Sequence, residues 1–129
     1  VSSPAAELFS SVRVARLATV TPDGAPHLVP IVFAVVGQVI HTAVDGKPKR
    51  HRRLQRLANI EREPRVSVLA DHYDDDWDML WWVRADGLAT IVNEPEPALL
   101  SRYPQYAETP PPGPFLRIHV TTWTSWSST

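Results

Sequence analysis

"VRVARLATVTPDGAPHLVPIVFAVVGQVIHTAV", Val12 to Val44, is the stretch on which the fold turns. It is rich in Val, Ile and Thr, residues that suit a pleated, half-buried surface. Turn chemistry breaks it twice. In Thr21 to Pro26, Pro22 pre-sets φ and Asp23-Gly24 supplies a position that tolerates positive φ. Val36-Gly37-Gln38 offers the second break. The pattern predicts strands at about 14–21, 27–36 and 38–44 in antiparallel meander order. Pro30 inside the second run has no N–H to give a ladder, so it belongs on an edge strand or at a bulge.

Further along, "RVSVLADHY" (Arg65–Tyr73), "LWWVRADGLATIV" (Leu80–Val92) and "FLRIHVTTW" (Phe115–Trp123) read as three more strands, the middle one bending or turning at Asp86-Gly87. Two helices are expected. One begins near Pro48, carries Leu54, Leu57 and Ala58 as a narrow apolar stripe, and is stopped by Pro64. The other is short, capped by Asn93 and followed by "EPALLSRY". "TPPPGP" (Thr109–Pro114) is an extended connector. Six strands with one helix in mid-chain describe a mainly β fold, a small barrel flanked or plugged by helices, in a single domain over residues 1–129.

The chain has 43% hydrophobic residues, enough for a real core, and a net charge of -1, which argues against a general nucleic-acid binder. No apolar run reaches the ~20 residues of a membrane span, and the N-terminal "VSSPAAELF" does not resemble a secretory signal. The lack of cysteine rules out disulfides and thiolate metal sites and suits a cytoplasmic location.

Against that near-neutral balance, Val44 to Arg65 holds eight of the 13 Lys and Arg residues. A solvated face balanced by the acidic run Asp71 to Asp78 is one reading. The other is an anion site: Lys47 and Lys49 sit in the first helical turn, where free N–H groups favour negative charge, and Arg53 and Arg56 extend the field. The segment has no aromatic platform, which disfavours a nucleic-acid patch. The acidic run with His72 does not match a Ca²⁺ loop, and no metal site is expected there; a solvated loop ion-paired with the basic helix of the same or a neighbouring chain fits it better. Trp81 and Trp82 fall on opposite faces of their strand: either one turns to the core and the other is a stacking or dimer surface, or both are buried, between barrel and helix or in an oligomer interface. No nucleophile elbow, dinucleotide fingerprint or Walker loop is present.

Four pieces, in order, resemble the pyridoxamine-phosphate-oxidase-like split β-barrel family, and more closely its actinobacterial branch that uses the deazaflavin coenzyme F-420. They are "LATVTPDGAPHLVPIVF", "IHTAVDGKPK", "RLANIEREPRVSVLADHY" and "DDDWDMLWWVRADGLATIV", and "RIHVTTWTSW" fits the last strand. The resemblance implies a six-stranded antiparallel split barrel with the basic helix after the third strand. It also implies a homodimer with two sites at the subunit interface. Carried over, Thr42, Ala43 and Val44 line the strand end near the cofactor phosphate, and Lys47, Lys49, Arg53 and Arg56 hold phosphate or tail carboxylates. Pro30 and Ile31 place backbone against the ring, and Trp82, His72 or Tyr73 approaches from the partner chain, the latter two as candidate proton donors. The implied activity is hydride transfer between reduced deazaflavin and an unsaturated small-molecule acceptor. The same fold using FMN as an oxidase or reductase, and a non-catalytic cofactor-binding protein, are the alternatives.

Overall fold

A computed structural model describes residues 3–44 and 55–129. The expected Pro48 start of the basic helix, and with it Lys47, Lys49, Arg53 and Leu54, lies outside them. The element order is α1 (Pro4–Ser10), β1 (Ala15–Val20), β2 (Pro26–Ile31), β3 (Ala34–Val36), β4 (Val39–Ala43), α2 (Gln55–Arg62), β5 (Arg65–His72), a 3₁₀ turn (Trp77–Met79), β6 (Trp81–Val92), α3 (Pro97–Arg102), α4 (Pro104–Glu108) and β7 (Phe115–Ser127).

All seven strands form one antiparallel sheet in the order β2-β1-β5-β6-β7-β4-β3. The six expected strands are therefore seven, because the run 27–36 is two strands. β2 pairs only with β1, and β3 only with β4, so the meander stops between them. The cause is visible in the backbone of Val32 and Phe33. Thr42 Oγ1 donates to the Val32 carbonyl (2.7 Å), and Arg102 Nη1 to that of Phe33 (2.7 Å). The Phe33 N–H donates to the Tyr103 hydroxyl (3.0 Å). Side chains satisfy these groups, so the chain leaves the ladder at no cost in unpaired polar atoms. Only Val32 and Phe33 separate β2 from β3, the two edges of the sheet, so the sheet curls back on itself as a half-barrel, consistent with a split barrel.

Pro30 does sit on an edge strand, as its missing donor requires. The turn after β1 is closed by Thr21 N–H to the Ala25 carbonyl (2.8 Å), with Gly24 at φ 88°. β6 runs unbroken, with a register shift against β7 between Asp86 and Gly87. A methyl group at Gly87 would lie 2.3 Å from the His119 carbonyl oxygen, so only glycine fits that approach. The second expected helix starts at Pro97, and its cap is Glu96 rather than Asn93, accepting from the Ala98 N–H (3.2 Å). A residue before proline is driven extended, and the proline then takes the first helical position, which places the cap at Glu96, three residues beyond Asn93. α1 and α4 were not expected. Ser3 caps α1, and Pro4 and Pro104 open the two helices.

The core is the concave face of the sheet: Leu17, Ile40, Val68, Val83, Ala85 and Ile118, all fully buried. α1 plugs one end with Phe9, whose ring meets Phe33 edge-on at 4.9 Å and Trp123 at 5.4 Å. α2 covers another part through Leu57 and Ile60, and is pinned by buried Asn59, whose amide donates to Thr19 on β1 (2.9 Å). No helix among the described residues is long and apolar enough to cross a membrane.

Candidate functional site

At the split between β2 and β3 the chain leaves a cleft of about 690 Å³. One wall is the end of β2 and the bend after it, Pro30, Ile31 and Val32. Ala43 at the end of β4 and Arg56 of α2 add to the lining. Another wall comes from the segment after α3: Tyr103, Gln105, Tyr106, Thr109 and Pro110 to Pro112. The walls are tied together at Phe33, through the Tyr103 hydroxyl and Arg102. The volume falls within the range of small-molecule sites, ~300–1,000 Å³.

Four of the residues singled out from the sequence, Pro30, Ile31, Ala43 and Arg56, thus meet in one cleft. Two others stand behind it. Thr42 is buried and spends its hydroxyl on the Val32 carbonyl, so it shapes the wall rather than lining it. Val44 is a core residue whose N–H donates to the Pro114 carbonyl (3.0 Å), anchoring the proline-rich segment. Lys47, Lys49 and Arg53 lie outside the described residues. Arg56 reaches the cleft because α2 is oriented by Asn59 three residues on, and Gln55 in turn donates to the Asn59 amide oxygen (2.7 Å).

Trp82 and Tyr73 lie elsewhere, in a groove of about 810 Å³ on the outer face of β1, β2, β5 and β6, with Arg16, Leu28, Leu69, Asp71 and Arg84. Trp81 does turn inward against the core while its neighbour lines this groove. His72 lines neither space; its Nε2 is 2.8 Å from Asp74. The acidic run uses its carboxylates locally: Asp74 accepts from the Asp76 N–H (2.7 Å) and Asp76 from the Asp78 N–H (3.1 Å). Asp71 faces Arg16 of β1 at 4.0 Å, while Lys47, Lys49 and Arg53, the helix cations expected to balance this run, lie outside the described residues.

The second cleft wall was missed from the sequence. Its signal was present in "RYPQYAETPPP", two tyrosines and a run of prolines, but nothing local says which surface they face. Glu96, the cap of α3, sits 3.8 Å from His41, a buried imidazole of β4. Burial holds His41 below its ordinary pKa, opposed by Glu96 and helped by Arg117 and His119.

Residues 3–127 match the family described as Pyridoxamine 5'-phosphate oxidase. The chain belongs to that family. A conserved hypothetical protein from Mycobacterium tuberculosis shares 31% identity with this family member, with a TM-score of 0.76 over 99% of this chain and 86% of that one. A FAD-binding protein from Mesorhizobium loti has the same fold at 20% identity and a TM-score of 0.68, covering 97% and 94% of the two chains. An F-420 reductase does so at 24% identity and 0.68, covering 96% and 98%. No curated protein matches the chain in sequence.

Proposed function

We propose that this family member is an oxidoreductase of the deazaflavin branch, carrying hydride between coenzyme F-420 and an unsaturated organic acceptor. The observation that supports it is the cleft itself. A proline-interrupted strand end, Pro30 to Val32, lies in one space with the end of β4 and with Arg56 from the basic helix. The fold likeness to an F-420 reductase points the same way.

The residues present fit a flat ring with an anionic tail. Pro30 offers no N–H, and its neighbours offer aliphatic surface, so a ring can lie along the strand end without stranding a donor. Arg56 supplies a planar, permanently charged fork suited to phosphate or carboxylate oxygens. When bound, a deazaflavin supplies the two-electron hydride chemistry, and the acceptor takes its proton from water or a side chain. The protein's share is to position both partners and keep bulk water off the ring. His72 and Tyr73, the candidate donors, do not border the cleft of their own chain. We assign that role to a second copy whose outer groove, with Tyr73 and Trp82, faces this cleft in a homodimer.

FMN is the second reading, since a single phosphate needs fewer cations than an acidic tail and Arg56 of the cleft could meet it. Parallel fluorescence titrations of the purified protein with F-420 and FMN decide between them. Tighter binding of F-420 is expected, and Arg56→Ala should weaken it about tenfold or more, as loss of a charged hydrogen bond implies. Preference for FMN moves the assignment to a flavoprotein. Binding of either without turnover of any acceptor leaves a cofactor-binding protein. Binding of neither sinks the proposal.

A further inference from the structure

We infer that the cleft wall formed by α4 and Pro110 to Pro112 is the acceptor's subsite, shaped for a flat, uncharged, largely apolar ring, with Tyr106 as its specificity-determining residue. The inference rests on the oxidoreductase reading above and names the substrate class of the same cleft.

Charge gives the first argument. Among the described lining residues Arg56 alone is charged, and it comes from α2; the segment after α3 contributes Tyr103, Gln105, Tyr106, Thr109 and three prolines. Three consecutive prolines present no backbone donor. A carboxylate or phosphate moved from water to this wall would lose its hydration and find no positive charge and no proline N–H in exchange, only the neutral donors of Gln105 and Thr109, whereas an apolar ring face loses little.

Shape gives the second. The half-buried ring of Tyr106 is held edge-on by Tyr103, with centroids 5.9 Å apart and planes at 66°. Tyr103 is itself fixed: its hydroxyl accepts from the Phe33 N–H (3.0 Å) and lies 2.8 Å from the Phe33 carbonyl. The guanidinium of Arg13 sits over its ring at 4.9 Å. A planar ligand therefore meets a surface already in place, which limits the ordering cost of binding. Gln105 and Thr109 add neutral groups for one or two oxygens of an otherwise apolar molecule.

The test uses the full chain and a neutral naphthalene dye whose emission shifts to the blue in apolar surroundings, titrated alongside F-420. The dye should bind, Tyr106→Ala should weaken it about tenfold, and F-420 affinity should change by less than about twofold in that variant. Thr109→Trp, at an exposed position, should fill the subsite and exclude the dye. Should Tyr106→Ala fail to fold in a thermal melt, Thr109→Trp decides alone, and dye binding that survives it overturns the subsite. Dye binding equal in all variants, with F-420 still dependent on Arg56, overturns the inference and leaves the reading standing. Dye binding that depends on Tyr106 with no F-420 binding supports the wall as an apolar-ring site and overturns the cofactor assignment.

Discussion

Single residues here carry constraints that can be separated by experiment. Gly87 lies where β6 shifts register against β7, and its missing Cβ is what lets the His119 carbonyl come close. Gly87→Ala puts a methyl against backbone that cannot swing aside. It should cost about 1–3 kcal/mol, as overpacking does, read as a lower urea midpoint. A wild-type midpoint in the variant would show that the strands part freely at the bulge. His41 makes a pH prediction. Its folded-state pKa is lowered, chiefly by burial, with Arg117 and His119 adding to that and Glu96 opposing it. The unfolded chain then takes up the proton first. The stability associated with neutral His41 is present above its ordinary value, near 6.5, and is lost as pH falls from there toward the folded-state value. Unfolding free energy measured against pH should fall over that window, and His41→Gln should flatten this part of the fall. Identical profiles for the two proteins would show that His41 is not the group responsible.

At the level of elements, the cleft exists because two pieces of chain far apart in sequence are joined by side chains. Tyr103→Phe removes the hydroxyl that accepts from the Phe33 N–H and lies within 3.0 Å of the Arg13 carbonyl. Leaving these groups unpaired should cost roughly 1–3 kcal/mol. It should also loosen the β2–β3 bend, so ligand affinity in the cleft should fall along with the denaturant midpoint. Asn59→Leu tests α2 in the same way. It strips Thr19 of its buried partner and frees the helix that carries Arg56. Cofactor affinity should drop in that variant as it does in Arg56→Ala, and unchanged affinity would separate the helix from the cleft. These cross-chain ties also explain what the sequence does and does not disclose. Strand positions follow from period-two patterning and Pro, Asp and Gly turns, and α2 ends before Pro64 as local rules require. Val32-Phe33 looks like strand, and breaks only because Thr42, Arg102 and Tyr103 bind its backbone. Pro30, Ile31 and Ala43 are singled out through the family resemblance and Arg56 also through the basic helix; local patterning alone, which puts Pro30 and Ile31 inside one strand, does not gather them into one cleft. Tyr106 and the prolines were not legible as site residues, since a connector takes its meaning from what it packs against.

On the scale of the whole molecule, the curled sheet buries one face and leaves much of the other open. On its outer side Leu28 is 66% exposed, Tyr73 62% and Trp126 44%, and Trp82 stands opposite Trp126 across β6 and β7. Arg16, Asp71 and Arg84 are interleaved among them. Apolar side chains gathered on one sheet face, set among charges of both signs, have the composition of a protein contact, with large rings supplying area and salt links supplying register. We propose a second copy of the chain as the occupant, in line with the homodimer that the family resemblance implies. A stable pair of this kind buries ~800 Å² per partner. At 14.4 kDa per chain, the protein should sediment at twice that mass at micromolar concentration. Leu28→Asp together with Leu69→Asp should give a monomer with an unchanged far-UV spectrum, since both side chains point away from the core. If a second copy brings Trp82 or Tyr73 to the cleft, the monomeric variant should also bind cofactor more weakly, although neither substitution touches the cleft lining. A monomer that binds as tightly as the wild type would mean that each chain holds its cofactor alone, and a wild-type protein that sediments as a monomer would remove the second copy from the site altogether.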